Sequence, residues 1–104
     1  MLFALVRTDK PGQAELRTRL QPEHAAYQAP FLSMITFGGG LVRDGVDTSG
    51  DVAIRDVIGN VLVFDAPDRA TVEAFHANDP YTREGVFNTV IIEQLWQRVP
   101  DPNA

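Results

Sequence analysis

Two side chains have the types and settings that chemistry needs. Asp79 closes the stretch Glu73-Ala-Phe-His-Ala-Asn-Asp-Pro80. A residue before proline is pushed out of the helical region of φ/ψ space, so Asp79 belongs at a corner between two elements. There its carboxylate faces the negative pole of the preceding helix. That placement costs about 0.3–1 kcal/mol and implies a positive or hydrogen-bonding partner. The same residue also reads simply as the N-cap of a following short helix with Pro80 at its first position. His24 shares a helical stripe with Tyr27 and Phe31, at i, i+3 and i+7, which directs the imidazole inward or into a pocket. A neutral imidazole, of ordinary pKa about 6.5, can both take and give a proton near neutrality. A helix histidine satisfied by a backbone carbonyl would show the same pattern.

Other chemistries lack their parts. The chain has no cysteine, hence no disulfide framework, thiolate nucleophile or sulfur ligand for zinc. Ser33 and Ser49 stand in no Gly-x-Ser-x-Gly setting, so acyl transfer is disfavoured. His76 and Asp79 have the spacing of two metal ligands, but no third is evident and no metal is expected. Gly38-Gly-Gly40 is not followed by Lys and Ser or Thr, so it is no phosphate loop. Those glycines fit a turn, a strand bulge, or a close approach of backbone to a ligand at Gly40.

The elements that must position these residues follow from pattern. Leu2 to Thr8 reads as a strand, apolar at Leu2/Ala4/Val6 and at Phe3/Leu5, as if covered on both sides. A helical pattern with Leu16 and Leu20 one turn apart follows Lys10-Pro11-Gly12. Pro22 predicts a break near Gln21 and a second helical piece starting there, and Pro30 predicts its end. Met34 to Phe37 leads through the glycines to Leu41-Val42 as a second strand. Residues 43–56 are polar and turn-rich, an exposed connection of a length that sometimes forms lids. Val57 to Asp65 is a third strand with both faces apolar, and Asp65-Ala-Pro67 opens a helix whose buried side is Val72 and Phe75. Val86 to Val99 reads as a long final strand. Residues 1–99 then form one domain, and 100–104 a flexible tail.

The order strand, helix, strand, strand, helix, strand is the α+β ferredoxin-like arrangement, an antiparallel sheet with helices on one face. Two helices cover only one side of a sheet whose strands are apolar on both, so a homodimer packed through the sheet faces is expected. At 104 residues the chain is also near the size where surface limits stability. Its net charge of −5 and nine scattered Lys and Arg argue against nucleic-acid binding. No apolar segment nears the ~20 residues that span a bilayer, and Leu2 to Val6 follows no basic leader, so a cytoplasmic location without membrane contact is the default expectation.

In this order and spacing the residues resemble the YciI-like proteins of the dimeric α/β-barrel superfamily. The resemblance covers nearly the whole chain. It is carried by Arg17 seven residues before His24, Pro22-Glu-His24, Gly40, Gly59-Asn-Val-Leu-Val-Phe64, and Asp79-Pro80-Tyr81 followed by Glu84-Gly85-Val86. It implies the dimeric ferredoxin-like barrel and makes His24 and Asp79 the active-site pair. Gln21 stands where some relatives have arginine, and Leu41 where many have proline, which bears on the pocket. One activity known in the family is dehydrochlorination of a chlorinated hydroxyhydroquinone, and superfamily relatives include muconolactone isomerase.

A carboxylate bonded to an imidazole fixes its tautomer and stabilises the imidazolium. Such a pair suits proton abstraction from a phenol or from carbon beside a carbonyl, followed by elimination or isomerisation, with no metal or organic cofactor. On this reading Tyr27, Phe31, Phe37 and Tyr81 wall the pocket and Arg17 steadies an oxyanion. Plain core packing for the aromatics and a surface ion pair for Arg17 are the alternatives. The contrasting whole-protein reading is a non-catalytic dimeric domain that binds a small ligand or assists another protein.

Overall fold

The computed structural model describes residues 1–103; Ala104, the end of the expected tail, lies outside the described residues. Strand β1 (Leu2–Asp9) leads through a tight turn to helix α1 (Ala14–Gln28), and a 3₁₀ segment, Ala29–Met34, connects it to β2 (Ile35–Val42). After the long connection and a 3₁₀ turn at Ile54–Asp56 come β3 (Val57–Asp65), α2 (Arg69–Asn78), the short α3 (Pro80–Arg83) and β4 (Phe87–Gln94). The four strands form one sheet in the order β2-β3-β1-β4, with every neighbouring pair antiparallel. This is the α+β, ferredoxin-like arrangement that the sequence predicts.

Strand alternation sorts the two faces. Phe3 pairs with Phe64, Leu5 with Leu62 and Arg7 with Asn60 across β1 and β3. The apolar members of this set form the core with Ala66, Val72 and Phe75 under the helices. Burying such side chains is worth roughly 1.5–3 kcal/mol each. The opposite face carries Ala4, Val6, Val61, Phe37 and Ile91 with no helix over it, and Phe37 and Ile91 are 64% and 54% exposed.

Three boundaries differ from expectation. Helix α1 runs unbroken through Pro22. An interior proline costs about 3 kcal/mol through a lost hydrogen bond and a clash. Continuity, however, keeps Arg17, Leu20 and His24 on one buried stripe, and tertiary packing wins. Helix α2 starts only after Asp68, whose carboxylate accepts from the Thr71 amide at 2.9 Å, so Pro67 precedes the cap. Strand β4 ends at Gln94 because its partner runs out: the Leu95 amide reaches the carbonyl of Leu2, where β1 begins. Among the described residues no helix is long and apolar enough to cross a membrane.

Candidate active site

Asp79 is fully buried at the corner where α2 ends and α3 begins. It occupies both of the roles its sequence setting offers. Oδ1 caps α3 by accepting from the Tyr81 amide at 3.0 Å and also lies 2.9 Å from His24 Nδ1. The positive partner that its position demanded is Arg7, whose Nη1 lies 3.0 Å from Oδ2, with both side chains fully buried.

Burial alone would raise the Asp79 carboxyl. The bond from His24, the Arg7 charge and the Tyr81 amide outweigh it and hold the group below the usual carboxylate range. An ionised carboxylate can only accept, so His24 Nδ1 carries a proton, and in the neutral imidazole Nε2 is the nitrogen with the lone pair. His24 is stacked on the Tyr81 ring at 4.2 Å and 16°, which leaves the imidazole little freedom to turn.

The imidazole opens onto a cavity of about 440 Å³ between α1 and the β2–β3 half of the sheet. Arg17, His24, Gly40 and Tyr81 line it together with Gln21, Gln28 and Asn60. Gly38 forms part of the wall because β2 approaches β3 closely: a Cβ there would lie 2.7 Å from the Val61 carbonyl. Arg17 grips Asp9 through two bonds of 2.7 and 2.9 Å, and its guanidinium sits 4.5 Å from the Tyr81 ring centre. Burial opposes the Arg17 charge, but Asp9 more than compensates and the guanidinium is held above its ordinary value. Burial likewise raises the Tyr81 phenol despite the pull of Arg17.

Three of the expected wall residues are placed elsewhere. Tyr27 and Phe31 pack on Phe75 of α2, and the Tyr27 hydroxyl donates to the Phe75 carbonyl at 2.9 Å. They belong to the rim of the core, Tyr27 from the last turn of α1 and Phe31 from the 3₁₀ segment that follows it. Phe37 lies on the far face of the sheet, opposite Val63, because the register shifts between Ile35 and Phe37. A one-residue slip sends a side chain to the other face.

Two residues near the site carry no catalytic motif in the sequence. Arg7 and Asn60 face one another in register on β1 and β3, joined by an Nε to Oδ1 bond of 3.0 Å. The signal was present in the alternation: Phe3, Leu5, Arg7 places a charge at an inward position of an apolar strand. His76, in the last turn of α2, lies 3.3 Å from Arg7 Nη1 and from Thr82 Oγ1. Burial and the Arg7 charge pull it below the ordinary imidazole value, so it is neutral at pH 7. Among the described residues no cluster of three or more His, Cys, Asp or Glu could hold a metal ion.

A ferredoxin-like α+β domain with a buried His–Asp pair at the mouth of a small cavity is thus the class that fold and site define. The chain belongs to the YCII-related domain family, matched over residues 1–96. Its structure is similar to that of 5-chloro-2-hydroxyhydroquinone dehydrochlorinase (TftG) from Burkholderia phenoliruptrix AC1100, solved in complex with 2,5-dihydroxybenzoquinone. The two share 31% identity at a TM-score of 0.86, over 97% of this chain and 99% of that one. An antibiotic biosynthesis monooxygenase shares the fold at 18% identity and a TM-score of 0.50, over 93% of this chain and 100% of that one. No curated protein sequence matches the chain.

Proposed function

We propose that the protein is a cofactor-free lyase that eliminates HCl from a chlorinated hydroxyhydroquinone, with His24 as the proton-transfer group. The observation that carries this is His24 itself, tied through Nδ1 to a buried carboxylate and bordering the cavity. The likeness to a dehydrochlorinase over 97% of the chain supports the reaction class. A cavity of about 440 Å³ suits a single substituted ring.

The balance closes without an outside oxidant. His24 Nε2 takes a hydroxyl proton, and the ring electrons shift so that the carbon bearing chlorine accepts a proton, which gives a keto tautomer. Loss of a second hydroxyl proton then drives out chloride with the C–Cl electron pair. The ring is left as a hydroxyquinone, and the net release is one proton and one chloride. The step is redox-neutral overall: two hydroxyl-bearing carbons are oxidised to carbonyls, and the carbon that exchanges chlorine for hydrogen is reduced by the same two electrons. Asp79 stabilises the transient imidazolium, and Arg17 steadies oxyanion charge on the ring. General acid–base help of this kind is worth about 10²–10⁴-fold.

The same reading packs two copies through the uncovered sheet face, where Phe37 and Ile91 are exposed. The test of the activity is anaerobic incubation of the purified protein with a chlorinated hydroxyhydroquinone and reductant, with chloride followed over time. Chloride release above the spontaneous rate is the expected result. A rate equal to the protein-free control would overturn the assignment and leave a ligand-binding domain.

A further inference from the structure

Arg7 is a cation that the proposed chemistry does not use. It is fully buried in the middle of β1 and does not border the cavity, so it touches no substrate. Its guanidinium lies 4.3 Å from the Phe87 ring centre and is held in place by Asn60 through Nε. Among the described residues its only opposite charge within ion-pair distance is Asp79, at 3.0 Å. Apolar side chains of similar volume often replace a buried ion pair without loss of stability. Fold stability alone therefore gives the charge no role.

Its partner Asp79 is the carboxylate bonded to His24. An uncompensated Asp79 would do two things together: fix the imidazole tautomer through Nδ1 and stabilise the imidazolium by its charge. The first serves proton transfer. The second, carried too far, holds the proton that His24 must hand on to the ring. Arg7 separates the two. With a guanidinium at Oδ2, Asp79 keeps its bond to Nδ1 while the pair carries no net charge.

The rest of the surroundings agree. On α1, Arg17 faces the site already neutralised by the two bonds to Asp9 of β1. On α2, His76 is uncharged at pH 7. On α3, Tyr81 contributes a phenol whose ionisation burial disfavours, and on β3, Asn60 is neutral. Arg7 with Asp79 and Arg17 with Asp9 thus form two closed pairs beside His24.

We infer that Arg7 is the positioning residue for His24: braced by Asn60, it turns Asp79 into a charge-balanced orienter that fixes the imidazole tautomer without trapping the proton. This rests on the proposed role of His24 in proton transfer, but its test needs no substrate.

The chain has only two histidines, so imidazole ¹⁵N–¹H correlation spectra of the full-length protein resolve both. Wild type is expected to show His24 as the Nδ1–H tautomer. In Arg7→Gln the His24 signal is expected to titrate about 1 pH unit or more higher than in wild type, since an opposite charge is left uncompensated beside it. In Asp79→Asn it is expected to titrate lower. Arg7→Lys, which keeps the charge, is expected to stay near wild type. The acidic limb of the kcat/KM profile in Arg7→Gln should follow the spectrum.

A folded Arg7→Gln whose His24 titrates as in wild type would overturn the inference. Should Arg7→Gln fail to fold, Arg7→Gln/Asp79→Asn leaves no unpaired buried charge and is compared with Asp79→Asn alone. The double variant titrating higher supports the inference, and coincidence of the two overturns it. Chloride release by wild type without an Arg7→Gln response defeats this inference alone. A spectral response without chloride release defeats only the assigned reaction.

Discussion

Asp79 concentrates three duties in one carboxylate: it caps α3, orients His24 and balances Arg7. Replacing it with asparagine keeps the volume but strands a buried guanidinium, and loss of one partner of such a pair costs about 3 kcal/mol or more. The acid dependence of that loss has a definite sign. The Asp79 carboxyl is lower in the folded protein than in the unfolded chain. Its contribution is therefore complete above an unfolded value of about 4 and disappears as pH falls through the folded value. Thermal melts should show wild type well above Asp79→Asn at pH 7 and the two converging as pH falls through the folded value of the carboxyl. A gap independent of pH would contradict the assigned ionisation. Arg17→Gln strands the Asp9 carboxylate and should lower the melting temperature, while in the folded protein it lowers kcat more than it alters KM, because oxyanion charge develops in the transition state. A change in KM alone would assign Arg17 to ground-state binding.

Helix α1 carries both Arg17 and His24, and its continuity through Pro22 sets their spacing against the sheet. Pro22 is exposed, so Pro22→Ala removes no core contact and restores the missing backbone donor. Denaturant titration should show a gain of about 1–3 kcal/mol, and a loss would mean that the proline shapes the helix. Much at this level was legible. The element order and the corner at Asp79-Pro80 followed from local rules, and the His–Asp pairing from the family resemblance. What local rules cannot weigh is the tertiary packing that holds α1 together across a proline. Nor can they place a register shift such as the one between Ile35 and Phe37, which moved Phe37 from the expected pocket wall to the opposite face. Arg7 and Asn60 become meaningful only when two strands are set in register.

At the scale of the molecule, the sheet is finished on one face only. The helices bury Phe3, Leu5, Leu62 and Phe64, while Phe37 and Ile91 stand exposed on the other side. A second copy covering that face would join two sheets into a closed barrel and add the burial that a 104-residue chain needs. Light scattering on wild type should give twice the chain mass. Ile91→Asp, which places a charge in the middle of that face, should give single chains with a lowered melting temperature. Single chains already in wild type would remove the face-to-face assembly from the account.

The central claim is that His24 moves the proton that releases chloride. The most direct measurement is the rate of chloride release from a chlorinated hydroxyhydroquinone by wild type and by His24→Asn, compared under anaerobic conditions, with both proteins shown folded by circular dichroism. The account expects kcat to fall by about 10²-fold or more in the variant, in line with the loss of a general acid–base group. A folded His24→Asn that releases chloride as fast as wild type would contradict it.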